Sequence, residues 1–325
     1  MNKVGSRRPV LVTIAVLMSV LGCSPAATPP SPNSPATTPP VAESPLPKSS
    51  PTRAGASSID YMALEAEIEK AISTGPVTLD NVQAVLVNVD GETAIAHYRH
   101  DFTEGNYGHV WSVTKSVISI LVGIAIKDGL IADLDTPLAK LLPEHRRAMT
   151  DDTAKVTLHQ LMTMSGGFPR ELPGGFTWAD AAQPGGDYID VLLKRHQYEP
   201  GRFFLYSNAS AHLVAAVLAS ALERADGAPQ TILNYARQKL FDPLGISTSP
   251  AFSEALPNSF ATDFGAAGFG WGTDPNGIPL GGFGLRLTAP DMMKIGELYR
   301  HGGMWNGQQI VPTTWIRQCT TPMII

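Results

Sequence analysis

Apolar positions along this 325-residue chain follow three patterns. A helical period runs from Tyr61 to Ser73, where Leu64, Ile68, Ala71 and Ile72 share one side of an expected amphipathic helix. From Val82 to His97 the pattern becomes that of strands. Val85, Leu86, Val87 and Val89 form one run, Thr93, Ile95 and Tyr98 the return, and Asp90-Gly91 between them predicts a β-hairpin. The third pattern is the apolar run from Ser112 to Gly129, a helix apolar nearly all round and so expected in the domain centre. Further helices are expected over Thr157–Met164, with Thr157 as N-cap and Gly166-Gly167 as the stop, then Ser210–Glu223, Leu233–Leu240 and Asp291–Arg300. Two strands do not make a stable sheet alone. The remaining strands are therefore expected after residue 300.

The N-terminus reads as an address. Lys3, Arg7 and Arg8 precede an apolar stretch from Val10 to Gly22, too short to span a bilayer comfortably and the right size for a signal-peptide core. Val20-Leu21-Gly22-Cys23 resembles a bacterial lipobox, in which the cysteine is lipidated; the other reading is an ordinary signal peptide that contains a cysteine. Ser6-Arg7-Arg8-Pro9-Val10-Leu11 also resembles a twin-arginine signal. Ten of the 27 prolines lie between Ser24 and Ser58, among Ser, Thr and Ala, so this stretch is an extended, semi-stiff tether. The expected organisation is a lipoprotein signal peptide over 1–22, a tether over 23–58 and a folded domain over 59–325. A lipid on Cys23 would anchor that domain outside the cytoplasmic membrane of a bacterial cell.

Composition excludes several classes. With 43% hydrophobic and 16% charged residues the chain is not disordered overall. A net charge of −5 argues against a general nucleic-acid partner. Two cysteines cannot build a disulfide framework, and no His/Cys cluster has metal-ligand spacing. With Cys23 assigned to the anchor, Cys319 is expected to be a free thiol.

The candidate chemistry begins at Ser112 and Lys115. Their i, i+3 spacing at the start of the buried helix puts both side chains on one face. The first helical turn has unpaired N–H groups and the positive end of the dipole, which suits an oxyanion. Burial beside that positive end disfavours the ammonium, so Lys115 is a candidate base for the Ser112 proton. Alone, Ser-x-x-Lys is equally a polar helix start with a snorkelling lysine. Tyr206-Ser207-Asn208, at a loop-to-helix junction, changes the weighing. A tyrosine there can carry protons if a cation such as Lys115 stabilises its phenolate, and Asn208 offers a donor and an acceptor to a substrate amide. The bland reading is a core tyrosine followed by an Asn cap.

Ser112-Val113-Thr114-Lys115 and Tyr206-Ser207-Asn208 together resemble the first two motifs of class C β-lactamases and penicillin-binding-protein-like serine hydrolases. Val156 to Gly167, Phe241-Asp242-Pro243-Leu244-Gly245-Ile246, Gly281-Gly282-Phe283-Gly284-Leu285-Arg286 through Asp291, and Trp305-Asn306-Gly307-Gln308 resemble framing segments of that family, in order over residues 60–325. The resemblance implies an α/β fold, an antiparallel sheet flanked by helices plus an all-helical subdomain, with the site between them. It implies Ser112 as nucleophile of an acyl-enzyme, Lys115 and Tyr206 sharing the proton work, Asn208 binding substrate, and no cofactor. The partner would be a small-molecule or peptide substrate: a β-lactam, a cell-wall peptide or a small ester. The family's third motif, Lys-Thr-Gly or His-x-Gly on a strand, is expected downstream of Trp305 and is missing there. His301-Gly302-Gly303 fits by letters only, at a helix end. Three strands and a closing helix need about 30 residues, so a C-terminally truncated chain is expected. The competing reading is therefore an impaired or inactive lipoprotein, a relic or binding protein of the same fold.

Overall fold

The computed structural model describes residues 60–75, 79, 81–168, 187–225, 230–249 and 268–322, and the backbone of 13–17 and 251–252. The chain forms two units, residues 19–81 and residues 1–18 with 82–325. In the first lies α1 (Tyr61–Thr74), capped by Asp60, whose carboxylate accepts the Ala63 N–H at 3.0 Å. Its expected apolar side is only partly covered: Ile72 is buried and Ile68 half-buried, while Leu64 and Ala71 are exposed.

The larger unit holds the rest. Its elements are β1 (Thr13–Leu17), β2 (Ala84–Val89), β3 (Glu92–Tyr98), β4 (Tyr107–His109), α2 (Val113–Lys127), α3 (Leu138–Leu141), α4 (Asp151–Lys155), α5 (Leu158–Met162), α6 (Tyr188–Leu193) and α7 (Asn208–Glu223). Then come α8 (Ile232–Ala236, continued by a π turn over Arg237–Phe241), β5 (Ala251–Phe252), β6 (Phe269–Trp271), β7 (Leu285–Thr288), α9 (Ala289–Arg300), β8 (Met304–Trp305), β9 (Gln308–Gln309) and α10 (Thr313–Thr320). Among the described residues, no helix is long and apolar enough to cross a membrane.

The hairpin forms as its pattern predicts. Asp90 and Gly91 take φ of 54° and 91°, the left-handed pair that a tight hairpin turn demands. The first sheet has the order β1-β2-β3. Thr13–Leu17, inside the stretch expected as a signal core, thus runs antiparallel beside β2, from Thr13↔Asn88 to Leu17↔Ala84. Its Thr, Ile and Val residues suit a strand as well as an apolar leader.

A second sheet, in the order β4-β7-β6-β5, lies between hairpin and late helices in sequence. This corrects the expectation that the remaining strands follow residue 300. Among the described residues only β8 and β9 do so. Strands β4 and β6 have 3 residues and β7 has 4, too few to display a period of two.

Helices α2 and α7 lie at the core. Val117, Ile120, Leu121, Val122 and Ala125 of α2 and Leu213, Ala215, Val217, Leu218 and Leu222 of α7 are all fully buried. Gly123 lets α10 approach: a Cβ there would lie 2.4 to 2.6 Å from the Trp315 indole. That indole donates from Nε1 to the Ser119 carbonyl at 3.0 Å, so it cannot easily retreat. Gly123→Ala is therefore expected to destabilise the fold by about 1–3 kcal/mol through overpacking. Denaturant unfolding checks this, and unchanged stability would show that Trp315 is free to move. Cys319, on α10, is exposed and its Sγ lies 3.3 Å from Ser119 Oγ.

Candidate active site

Ser112 stands where the second sheet meets α2. Strand β4 is paired to β7 through Tyr107↔Thr288, Gly108↔Leu287 and His109↔Arg286. The Val110 N–H continues the ladder to the Leu285 carbonyl at 3.0 Å. Trp111 then turns the chain with φ 45°, a left-handed conformation that costs a non-glycine residue about 1–3 kcal/mol. Ser112 occupies the N-cap of α2 with helical backbone angles and makes no side-chain capping bond. Its exposed hydroxyl is thus not spent on the helix.

Tyr206 and Asn208 arrive on the opposite wall through the turn after α5. That turn carries positive φ at Met164 (53°) and Gly167 (83°). Its carbonyls hold the incoming loop: Met164 accepts Leu205 N–H at 2.9 Å, Ser165 accepts Gly201 N–H at 2.7 Å, and Gly167 accepts Gln197 and Tyr198 N–H at 3.0 and 3.1 Å. A Cβ on Gly167 would lie 1.9 Å from the Tyr198 carbonyl oxygen. The Gly166-Gly167 pair therefore does more than end a helix. It sets the height of the Tyr206 loop. Ser207, fully buried, caps α7 by accepting Ser210 N–H at 3.1 Å. Asn208 is the first helical residue rather than the cap, and its side chain turns to Lys115.

Lys115 joins the two walls. Its ammonium donates to Ser112 Oγ at 3.1 Å, to Asn208 Oδ1 at 2.6 Å and to the Gly282 carbonyl at 2.6 Å. Ser112 Oγ is in turn 2.6 Å from Tyr206 Oη, and Lys115 Nζ sits 4.8 Å from the Tyr206 ring centroid. All four predicted residues, Ser112, Lys115, Tyr206 and Asn208, thus meet in one hydrogen-bonded cluster. Lys115 is part-buried, and its three N–H bonds meet three acceptors. His109, three residues before Ser112, is pushed below the usual histidine range by burial and then by Arg286, so it adds no charge here at pH 7.

The Gly282 carbonyl was not predictable as a partner of Lys115, although Gly281-Gly282 stood out as a motif. Its signal is steric. A Cβ on Gly281 would lie 2.1 Å from the Ala211 carbonyl oxygen, and one on Gly282 would lie 2.7 Å from Asn208 Oδ1. His301 ends α9, with Nδ1 2.9 Å from the Glu297 carbonyl oxygen, so His301-Gly302-Gly303 belongs to a helix terminus, not a strand. Cys23 lies outside the described residues. One group among the described residues, His145, Asp187 and Asp190, has metal-ligand proximity. Structural work accounts for it: Asp187 caps α6 and Asp190 Oδ1 lies 2.8 Å from His145 Nδ1.

In this Ser–Lys–Tyr cluster a hydroxyl lies within hydrogen-bond reach of two proton-carrying groups, the arrangement that can activate a serine nucleophile. The chain belongs to the β-lactamase family, whose model matches residues 82–322. The family comprises serine hydrolases of β-lactamase and DD-peptidase type, with a mixed α/β, transpeptidase-like fold that acts on small-molecule or peptide substrates. The chain is 32% identical over 141 residues to the D-alanyl-D-alanine-carboxypeptidase/endopeptidase AmpH of Escherichia coli K12, a match covering 42% of this chain and 34% of that protein. It thus spans about a third of that relative's length. Its fold is similar to an octameric penicillin-binding protein homologue from Pyrococcus abyssi, with TM-score 0.53, 21% identity and coverage of 81% of this chain and 60% of the other. The D-alanine carboxypeptidase AmpC of Burkholderia cenocepacia is similar at TM-score 0.50 and 22% identity, covering 72% and 62%.

Proposed function

We propose that this protein is a lipid-anchored serine hydrolase that forms an acyl-enzyme on Ser112 with peptides ending in D-alanyl-D-alanine. One observation carries the reading: Ser112 Oγ lies within hydrogen-bond distance of both Lys115 Nζ and Tyr206 Oη. The D-alanyl substrate class is supported by the names of the two carboxypeptidase relatives.

The proton inventory gives the mechanism. To accept the Ser112 proton, Lys115 and Tyr206 together must hold one proton fewer than their full complement. Tyr206 Oη, 2.6 Å from Ser112 Oγ against 3.1 Å for Lys115 Nζ, is the nearer of the two to that proton. Ser112 Oγ then attacks the substrate carbonyl carbon while its proton passes to Tyr206 Oη. The tetrahedral oxyanion is stabilised by the Ser112 N–H at the positive end of α2. As the C–N bond breaks, Tyr206 returns the proton to the departing amine. Water then attacks the ester, giving one proton to Tyr206 and its hydroxyl to the acyl carbon; the bond from that carbon to Ser112 Oγ breaks, and Tyr206 passes the proton to Oγ. Asn208 serves twice: Oδ1 holds Lys115, and the amide N–H₂ is available to the substrate's own amide oxygen.

Export rests on the charged start, the short apolar run and Cys23, with residues 23–58 as tether. The expected result with the purified full chain is release of D-alanine from a D-Ala-D-Ala-terminated pentapeptide. Hydrolysis of a small ester without any D-alanine release would move the reading from peptidase to esterase. Cys23→Ala is expected to shift the protein from the membrane to the soluble extracytoplasmic fraction, as cell fractionation would show; retention in membranes would overturn the anchor.

A further inference from the structure

The Gly282 carbonyl is one of the three acceptors that hold Lys115, yet it lies on a bend over Gly281–Phe283 with no strand or helix to fix it. Backbone bonds hold its flanks, Leu280 N–H donating to the Gly272 carbonyl at 2.8 Å and Gly272 N–H to the Gly284 carbonyl at 3.0 Å, and a buried side-chain pair holds the bend between them. The Gly281 N–H donates to His212 Nδ1 at 3.3 Å. His212 Nε2 lies 3.0 Å from Asp274 Oδ2, and the two side chains are 5% and 0% exposed. The other carboxylate oxygen, Oδ1, accepts the N–H groups of Asn276 at 2.9 Å and Ile278 at 2.8 Å. These partners assign the tautomer. Nδ1 accepts from Gly281, so Nε2 carries the hydrogen and donates to Asp274.

A buried imidazole–carboxylate pair is an expensive way to gain stability, because desolvation offsets much of the attraction. Its placement here gives it another use. His212 sits one helical turn beyond Asn208 on α7, and the two glycines press on that same turn. The pair therefore ties the acceptor on the bend to the acceptor on the helix.

We propose that His212, oriented by Asp274, is a positioning residue: by holding the Gly281 amide it sets the Gly282 carbonyl to receive Lys115 Nζ. The proposal rests on the reading of Lys115 and Ser112 given above for its kinetic consequence, though not for its geometry. Two amide substitutions separate the functions of the ring. In His212→Asn the side-chain oxygen takes the place of Nδ1 and keeps an acceptor for Gly281. In His212→Gln the amide reaches Asp274 but leaves Gly281 without its acceptor.

The test is to crystallise the full-length wild type and both variants, and to measure single-turnover acylation by p-nitrophenyl acetate. In the Gln variant the Lys115–Gly282 contact is expected to open beyond hydrogen-bond reach. Its maximal acylation rate should fall by up to about 10²-fold, as misplacement on the scale of an ångström does, with half-saturation unchanged. The Asn variant should keep the contact and most of the rate. A closed contact and an unchanged rate in the Gln variant would overturn the proposal, as would equal losses in both variants that follow their melting temperatures. If the wild type is not acylated at all, the hydrolase reading fails, and the Lys115–Gly282 distances in the three crystals still decide the positioning role.

Discussion

Ser112→Ala is expected to remove hydrolysis almost completely while leaving the fold intact. Loss of the nucleophile in a serine hydrolase costs about 10⁶ in turnover, with the remainder supplied by binding and the oxyanion site. The fold should be spared because Ser112 is exposed and its hydroxyl makes no capping bond. What disappears is the atom bonded at 2.6 Å to Tyr206 and at 3.1 Å to Lys115. Initial rates on p-nitrophenyl acetate, read beside a thermal melt, check both halves. A folded alanine variant with wild-type turnover would mean that another residue carries the acyl group.

Lys115→Ala is expected to lower acylation by about 10²–10⁴-fold, the range of a positioned proton-transfer group. The loss has two physical parts. The cation that stabilises the Tyr206 phenolate, the form able to accept the Ser112 proton, is removed, and Asn208 Oδ1 and the Gly282 carbonyl both lose their donor. Lys115→Arg should not rescue the rate. A planar guanidinium cannot direct N–H bonds from one nitrogen at three acceptors as an ammonium does. Tyr206→Phe should also slow acylation, since the hydroxyl 2.6 Å from Ser112 is lost while the ring stays. Stopped-flow acylation compares the three variants; a wild-type rate in Lys115→Ala or Tyr206→Phe would remove that residue from the proton path, and a wild-type rate in Lys115→Arg would show that a cation alone suffices.

How much of this was legible depends on how local the signal is. The Asp90-Gly91 hairpin and α2 are written in a few adjacent residues, and both formed where expected. So did α7, which starts at Asn208, two residues earlier than its apolar pattern, because Ser207 supplies the cap. Ser112 with Lys115, and Tyr206 with Asn208, were found because each pair is close in sequence and chemically uncommon. Their meeting across more than 90 residues is a property of the α2–α7 packing, which no local pattern encodes. The second sheet escaped notice because its strands are shorter than the period that would reveal them. Gly282 escaped for a different reason: it acts through its carbonyl, which every residue possesses. Gly166-Gly167 marks a helix stop in the sequence and also anchors the Tyr206 loop, a use visible only through the carbonyls that turn exposes to residues 197–205.

The central claim is that Ser112 becomes acylated. Its most direct test is intact mass measurement of the full-length protein after reaction with a penicillin probe, and separately with p-nitrophenyl acetate, followed by peptide mapping. The expected result is one adduct per chain from at least one reagent, located on the peptide that contains Ser112. No adduct from either reagent on protein shown to be folded, or an adduct mapped to a different residue, would contradict it.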